Sequence, residues 1–122
     1  MLADSNLLIY AAKPEYAGLE AWMAGHVDTV SGVSLVEVLG YHLLTSETLK
    51  LLTALFAPLR VVYPSPATFD LAINLRQQRR MSLGDALIAA TCLEHNEPLA
   101  TANVDDFKWV AGLTVVNPLT DA

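Results

Sequence analysis

Short apolar or β-branched segments recur along this chain with helical patterns between them, and that alternation limits the fold more than any other feature. Strands joined through helices lie parallel, because a tight turn would reverse the chain and pair them antiparallel. The expected strands are a short one through Ala3, then Asp28 to Gly32, Arg60 to Tyr63, Pro98 to Thr101 and Thr114 to Asn117. Helices are expected after the turn Asp4 to Asn6, over Glu15 to Gly25, and from a Ser34 cap with Val36, Leu39, Leu43 and Leu44 at helical spacing. Further helices are expected over Glu47 to Phe56, over Ala67 to Arg80, from a Ser82 cap to about Asn96, and as a short turn over Val104 to Val110. The fold class is therefore α/β, a three-layer α/β/α sandwich with a central parallel sheet of about five strands. No repeat or linker interrupts the 122 residues, so the chain reads as a single domain.

Composition removes several alternatives. Hydrophobic residues make up 53% and charged residues only 16%, which excludes a disordered segment. Apolar runs such as Ala86 to Ala90 fall far short of the roughly 20 residues of a membrane-spanning helix. Asp4 and Asn6 interrupt the start before a secretory signal can form. The lone cysteine, Cys92, permits neither an intrachain disulfide nor a cysteine-rich zinc site, which fits a cytoplasmic protein. The apolar surplus predicts an oligomer or complex that covers part of it. Leu39, Leu43, Leu44, Leu51 and Leu55 are candidates for core or interface, with core expected for most. A net charge of −6 weighs against nucleic-acid binding. Acids gathered around divalent ions would reverse that local sign, however, and Arg76, Arg79 and Arg80 concentrate basicity in one short window.

In open parallel sheets, sites form at the carboxyl ends of the strands. Asp4 ends the first strand, Glu37 follows the second in the first turn of its helix, and Asp85 opens the helix that runs back to the fourth. All three belong to one edge. Asn103, Asp105 and Asp106 follow the fourth strand to the same place. Crowded carboxylates either protonate or take up a cation, and an all-oxygen set suits magnesium or manganese. His26, His42 and His95 have no ligand-like spacing, which disfavours zinc. Ser34 to Glu37 and Ser82 to Asp85 also match the capping box, which places an acid there for helix stability alone. Asp4 is harder to assign to structure, since an acid closing a buried strand needs a hydrogen-bonding turn or a cation.

The strings LADSN at the start, SLVEVLG at Ser34 to Gly40, LGDALIAA at Leu83 to Ala90 and LATANVDDF at Leu99 to Phe107 stand in one order along the whole chain. In this the sequence resembles the PIN domains, and within them the VapC-type toxins of bacterial and archaeal toxin–antitoxin pairs. The resemblance implies that Asp4, Glu37 and Asp85 bind magnesium or manganese, with Glu37 acting directly or through water. It implies that Asn6 and Thr101 orient ligands or the attacked phosphate, and that Ser5 replaces a commoner threonine while keeping the hydroxyl. The fourth acid falls to Asn103, where many relatives carry an acid, or to Asp106. The implied reaction is hydrolysis of RNA phosphodiesters. Arg79 and Arg80 are then candidate phosphate contacts, although arginine at a helix end is favoured anyway. The resemblance further implies a homodimer and a cognate antitoxin whose C-terminal segment covers the cleft. Two rivals remain: a PIN-like protein with weakened catalysis that only binds RNA or a partner, and a phosphotransfer or phosphatase domain with a nucleophilic Asp4. The second lacks the usual neighbouring acid, because Asn6 stands two residues on, and Lys108 falls inside a helical turn.

Overall fold

The computed structural model describes residues 1–121. Five parallel strands form one sheet: β1 (Leu2–Ala3), β2 (Thr29–Ser31), β3 (Arg60–Val62), β4 (Leu99–Ala100) and β5 (Val115–Val116). Their order is β3-β2-β1-β4-β5. The chain steps outward from β1 to β3, then returns to the far side of β1. This reversal opens a crevice at the carboxyl ends of β1 and β4.

Side chains on successive strand residues point to opposite faces, and this divides the core in two. Ala3, Val30 and Ala100 pack with Leu7 and Leu8 of α1 (Ser5–Ala11), Leu19 and Met23 of α2 (Ala17–His26), Val38 of α3 (Gly32–Leu39) and Leu52 and Phe56 of α4 (Ser46–Phe56). On the other face Leu2 and Leu99 meet α5 (Pro66–Gln78) through Ala72 and Leu75, α6 (Leu83–His95) through Ala86 to Ala90, and Phe107 of α7 (Val104–Phe107). The expected α/β/α layering is therefore present. Among the described residues no helix is long and apolar enough to cross a membrane. Cys92 is buried and its thiol is pushed up to about 12 by desolvation, which leaves it unreactive.

Helices α5 and α6 form an antiparallel hairpin. Ser65 caps α5 in a full capping box with Thr68, and its hydroxyl also donates to Glu94 Oε1 near the end of α6 at 3.0 Å. The Thr68 hydroxyl donates to the other Glu94 oxygen. Ser65→Ala removes the cap and one strut together, so unfolding free energy should drop by about 1 kcal/mol, measured by urea denaturation. An unchanged midpoint would mean that Thr68 alone holds the hairpin. At the same end of α6, Asn96 takes the left-handed conformation (φ 54°) that stops the helix.

Several boundaries differ from expectation. Ser31, not Ser34, caps α3, its hydroxyl accepting from Val33 N at 3.1 Å. Gly32 consequently begins the helix rather than ending β2, and Glu37 lies in the second turn, not the first. The same helix stops at Leu39, with Gly40 as its C-cap, so Leu43 and Leu44 belong to the following turn. Leu43 and Leu51 are exposed rather than core, whereas Leu39, Leu44 and Leu55 pack partly against the first cluster. Pro14–Tyr16 is a separate 3₁₀ turn ahead of α2. The expected tail carries α8 (Pro118–Asp121).

Candidate active site

Asp4 leaves β1 and supplies the N-cap position of α1, with its backbone N–H bonded to Ala100 O and its own carbonyl accepting from Leu7. These bonds fix it in the β1–β4 crevice, where it is 2% exposed. Thr101, directly after β4 and fully buried, donates its hydroxyl to Asp4 Oδ2 at 2.8 Å and accepts from Asn103 N at 3.0 Å. Burial pushes the Asp4 carboxyl up to about 6; the Thr101 hydrogen bond opposes this, and the charges of Asp85 and Glu37 add to it.

Asp85 stands in the first turn of α6, where its backbone N–H is accepted by the Ser82 hydroxyl at 3.1 Å. Its carboxyl is raised as well, chiefly by burial and against a Ser82 hydrogen bond, with the charges of Asp106 and Glu37 contributing. Only half of the expected capping box forms there, because no return bond reaches the Ser82 backbone. At Glu37 the box is absent, since Ser34 does not cap the helix. Ser34 is instead fully buried and shares a 2.7 Å hydrogen bond with Ser5, whose hydroxyl also donates to Glu37 Oε1 at 2.7 Å. Ser5 and Ser34 thus hold the Glu37 carboxylate toward the crevice. Gly84 makes room for it: a Cβ there would lie 3.0 Å from Glu37 Cδ and 3.2 Å from Oε1.

The expected acids therefore act on one another: Asp4 with Asp85 and Glu37, and Asp85 with Glu37 and Asp106. Among the described residues no basic side chain forms an ion pair with any of the four. Their convergence is electrostatic and falls short of a finished ligand shell. No three Asp, Glu, His or Cys side chains among the described residues are grouped to hold an ion unaided. The donor set still fits magnesium or manganese, which take oxygen ligands, retain waters and use one or two carboxylates. Asp4 supplies the clearest need, being buried, charged at neutral pH and without an ion pair to a basic side chain among the described residues.

Of the remaining expected residues, Asn6 is exposed on the first turn of α1, and Asn103 precedes α7 with no side-chain cap bond. Asp106 is exposed and borders a cleft of about 550 Å³ together with Asp85, Arg79 and Arg80. Asp105 is tied to Lys108 at 2.8 Å. The histidines stay apart from the acids: His26 stacks on Trp22, His42 meets Tyr41, and His95 lies beside Glu94.

Sequence reasoning missed Ser34 as a site residue, Gly84 and Trp109, and it named Arg76 only as part of a charge cluster. Arg76 and Trp109 line the same cleft. A glycine in the first turn of a helix is disfavoured by about 1 kcal/mol against alanine, which was a readable signal for Gly84. No local signal marks Trp109, whose ring meets Arg79 from thirty positions away.

Comparison with known proteins supplies a second line. The PIN domain family model matches residues 1–113. No curated protein matches the sequence. Among solved structures, VapBC2 from Rickettsia felis bound to a DNA fragment from its promoter superposes with TM-score 0.77 at 21% identity, covering 95% of this chain and 96% of that one. A toxin–antitoxin complex from Klebsiella pneumoniae gives 0.77 at 24% identity with 96% of each chain covered. FitAcB from Neisseria gonorrhoeae gives 0.77 at 22% identity with 98% of each covered. At these identities the superpositions establish a shared fold.

Proposed function

The chain belongs to the PIN-domain family, and on that footing we propose that it is a magnesium- or manganese-dependent ribonuclease, the toxin of a VapC-type toxin–antitoxin pair. One observation carries this reading: Asp85 bears on Asp4, Glu37 and Asp106 at the β1–β4 crevice, and none of the four forms an ion pair with a basic side chain among the described residues. Asp4 and Asp85 hold the metal in this reading, Glu37 joins them directly or through water, and Asp106 rather than Asn103 supplies the fourth acid. Asp106 is favoured because its charge raises Asp85, whereas Asn103 reaches Thr101 through its backbone. A bound divalent ion supplies Lewis acidity at the phosphodiester and neutralises the carboxylates. The protein's own part is positioning. Thr101 fixes one Asp4 oxygen, Ser5 and Ser34 fix Glu37, and Arg79 and Arg80 meet the RNA backbone across the cleft, while exposed Asn6, two residues after Asp4, is open to the substrate.

The antitoxin is assigned to a largely apolar groove of about 560 Å³ that Ile9, Val38, Tyr41, Leu43, Leu44 and Leu52 line, with Glu37 and Lys13 as its charged members. A segment with apolar anchors and a terminal basic residue fits that layout, and toxin–antitoxin complexes stand among the similar structures. Exposed Phe69, Ile73 and Leu83 support a homodimer, and a cytoplasmic setting suits an RNA substrate.

The test is cleavage of single-stranded and structured RNAs by purified protein in EDTA and after addition of magnesium or manganese. Cleavage is expected only with the divalent ion. Equal cleavage in EDTA overturns the metal-dependent reading, and no cleavage of any RNA under either condition favours a binding-only PIN protein.

A further inference from the structure

We propose that Trp109 is a positioning residue that stacks on Arg79 and so keeps this arginine off the carboxylates and available to an RNA phosphate. The proposal rests on the ribonuclease reading above and assigns a role to a residue outside its acid set. Arg79 follows α5 in extended backbone conformation (φ −161°, ψ 152°), and its guanidinium carbon lies 5.5 Å from the centre of the Trp109 ring. Arg79, Trp109, Asp85 and Asp106 line one cleft. Among the described residues Arg79 nevertheless makes no ion pair.

A guanidinium and a carboxylate within reach of each other form a strong, often forked hydrogen bond, and Arg79 shares its cleft with Asp85 and Asp106 without making one among the described residues. Two of the other basic groups nearby are engaged elsewhere, while Arg80, which lines the same cleft, also forms no ion pair among the described residues. Arg76 donates Nε–H to Met81 O at 3.1 Å, and Lys108 holds Asp105. Trp109 is itself anchored, since its indole N–H donates to the carbonyl of Asp106 at 2.9 Å. The ring is therefore fixed to the turn that carries one acid, and it offers Arg79 a π face as the alternative partner. A stacked guanidinium keeps its N–H edge free for phosphate oxygens, and the acids stay free for a cation.

An effect of unusual sign is expected. In Trp109→Leu the ring is gone, Arg79 swings onto Asp85 or Asp106, and it competes with the divalent ion. Manganese affinity, measured by electron paramagnetic resonance or calorimetry without RNA, should weaken about tenfold, the worth of one charged hydrogen bond. Adding Arg79→Ala to that variant should restore manganese affinity to the native value or above. Affinity for a single-stranded RNA oligonucleotide in EDTA, read by fluorescence anisotropy, should weaken in Trp109→Leu and stay weak in the double variant. Trp109→Phe keeps a ring and should bind manganese nearly as the native protein does, which separates loss of stacking from a general disturbance of α7. Native manganese affinity in Trp109→Leu, or a double variant as weak as the single one, overturns the proposal. Asp85→Asn separates the two readings. Unchanged manganese binding in it overturns the metal site and this proposal together. Weakened binding there beside native binding in Trp109→Leu overturns the role of Trp109 alone.

Discussion

Asp4→Asn is expected to stabilise the metal-free protein and to remove nearly all of the proposed RNA cleavage. The carboxyl of Asp4 is raised from an ordinary 3.8 to about 6, mainly by burial, so the folded state binds this proton more tightly than the unfolded chain does. Native stability from this group is therefore complete below about pH 4 and lost as pH rises through about 6. At neutral pH the ionised carboxylate costs up to roughly 3 kcal/mol, since each tenfold gain in proton affinity is worth about 1.4 kcal/mol. Asparagine removes the charge while its side-chain oxygen still accepts from the Thr101 hydroxyl. Without divalent ions at pH 7 the variant should melt several degrees above the native protein, and the gap should close toward pH 4. Magnesium or manganese should then raise the melting temperature of the native protein and leave the variant unmoved. Cleavage should fall roughly a thousandfold, which corresponds to about 4 kcal/mol of lost transition-state stabilisation. A variant less stable than the native protein in EDTA at pH 7 would refute the idea of an uncompensated charge.

Gly84→Ala should dissociate activity from stability in a different way. Alanine is the better helix former by up to about 1 kcal/mol, which offsets the cost of the Glu37 hydrogen bond that is lost, so folding stability should change little. The new methyl nevertheless occupies the space of the Glu37 carboxylate, which must leave its hydrogen bond with Ser5. Because Glu37 charge bears on both Asp4 and Asp85, its displacement should disturb the proposed metal site. Cleavage is expected to drop about 10- to 100-fold, the usual penalty for a mispositioned ligand or outer-shell partner. Glu37→Gln should lose a similar amount, and the double variant little more than either, since both remove one function. Undiminished cleavage by a well-folded Gly84→Ala protein would show that Glu37 acts from some other position.

The physical interest of the crevice lies in what surrounds the acids rather than in the acids themselves. Ser34 and Thr101 are fully buried hydroxyls that hold Glu37, through Ser5, and Asp4 respectively. They order the carboxylates without neutralising them, so the charge remains available to a cation. Buried hydroxyls in such a place also limit rotation of the acid side chains, and this favours preorganisation over adaptation to the substrate.

The sequence by itself determined that strands alternate with helices, that the sheet is parallel, and that Asp4, Glu37 and Asp85 belong to one edge. Those conclusions follow from local periodicity and from the rule that parallel strands need crossovers, both of which are properties of short stretches of chain. It did not determine which serine caps α3. Ser31 and Ser34 are equally good caps three residues apart, and Ser31 prevails because Ser34 is buried against Ser5 from another element. Nor did it determine the end of the same helix, where Leu43 continues the apolar rhythm but lies exposed beyond Gly40. The fit of Gly84 to Glu37, the hold of Thr101 on Asp4 across 97 positions and the stack of Arg79 on Trp109 were likewise set only when the strand order brought distant segments together. A capping pattern is a local and degenerate signal, whereas a carboxylate's partners are chosen by the fold. For that reason the acids and their common edge were legible in the sequence, and the hydroxyls and the glycine that hold them became visible only in the tertiary structure.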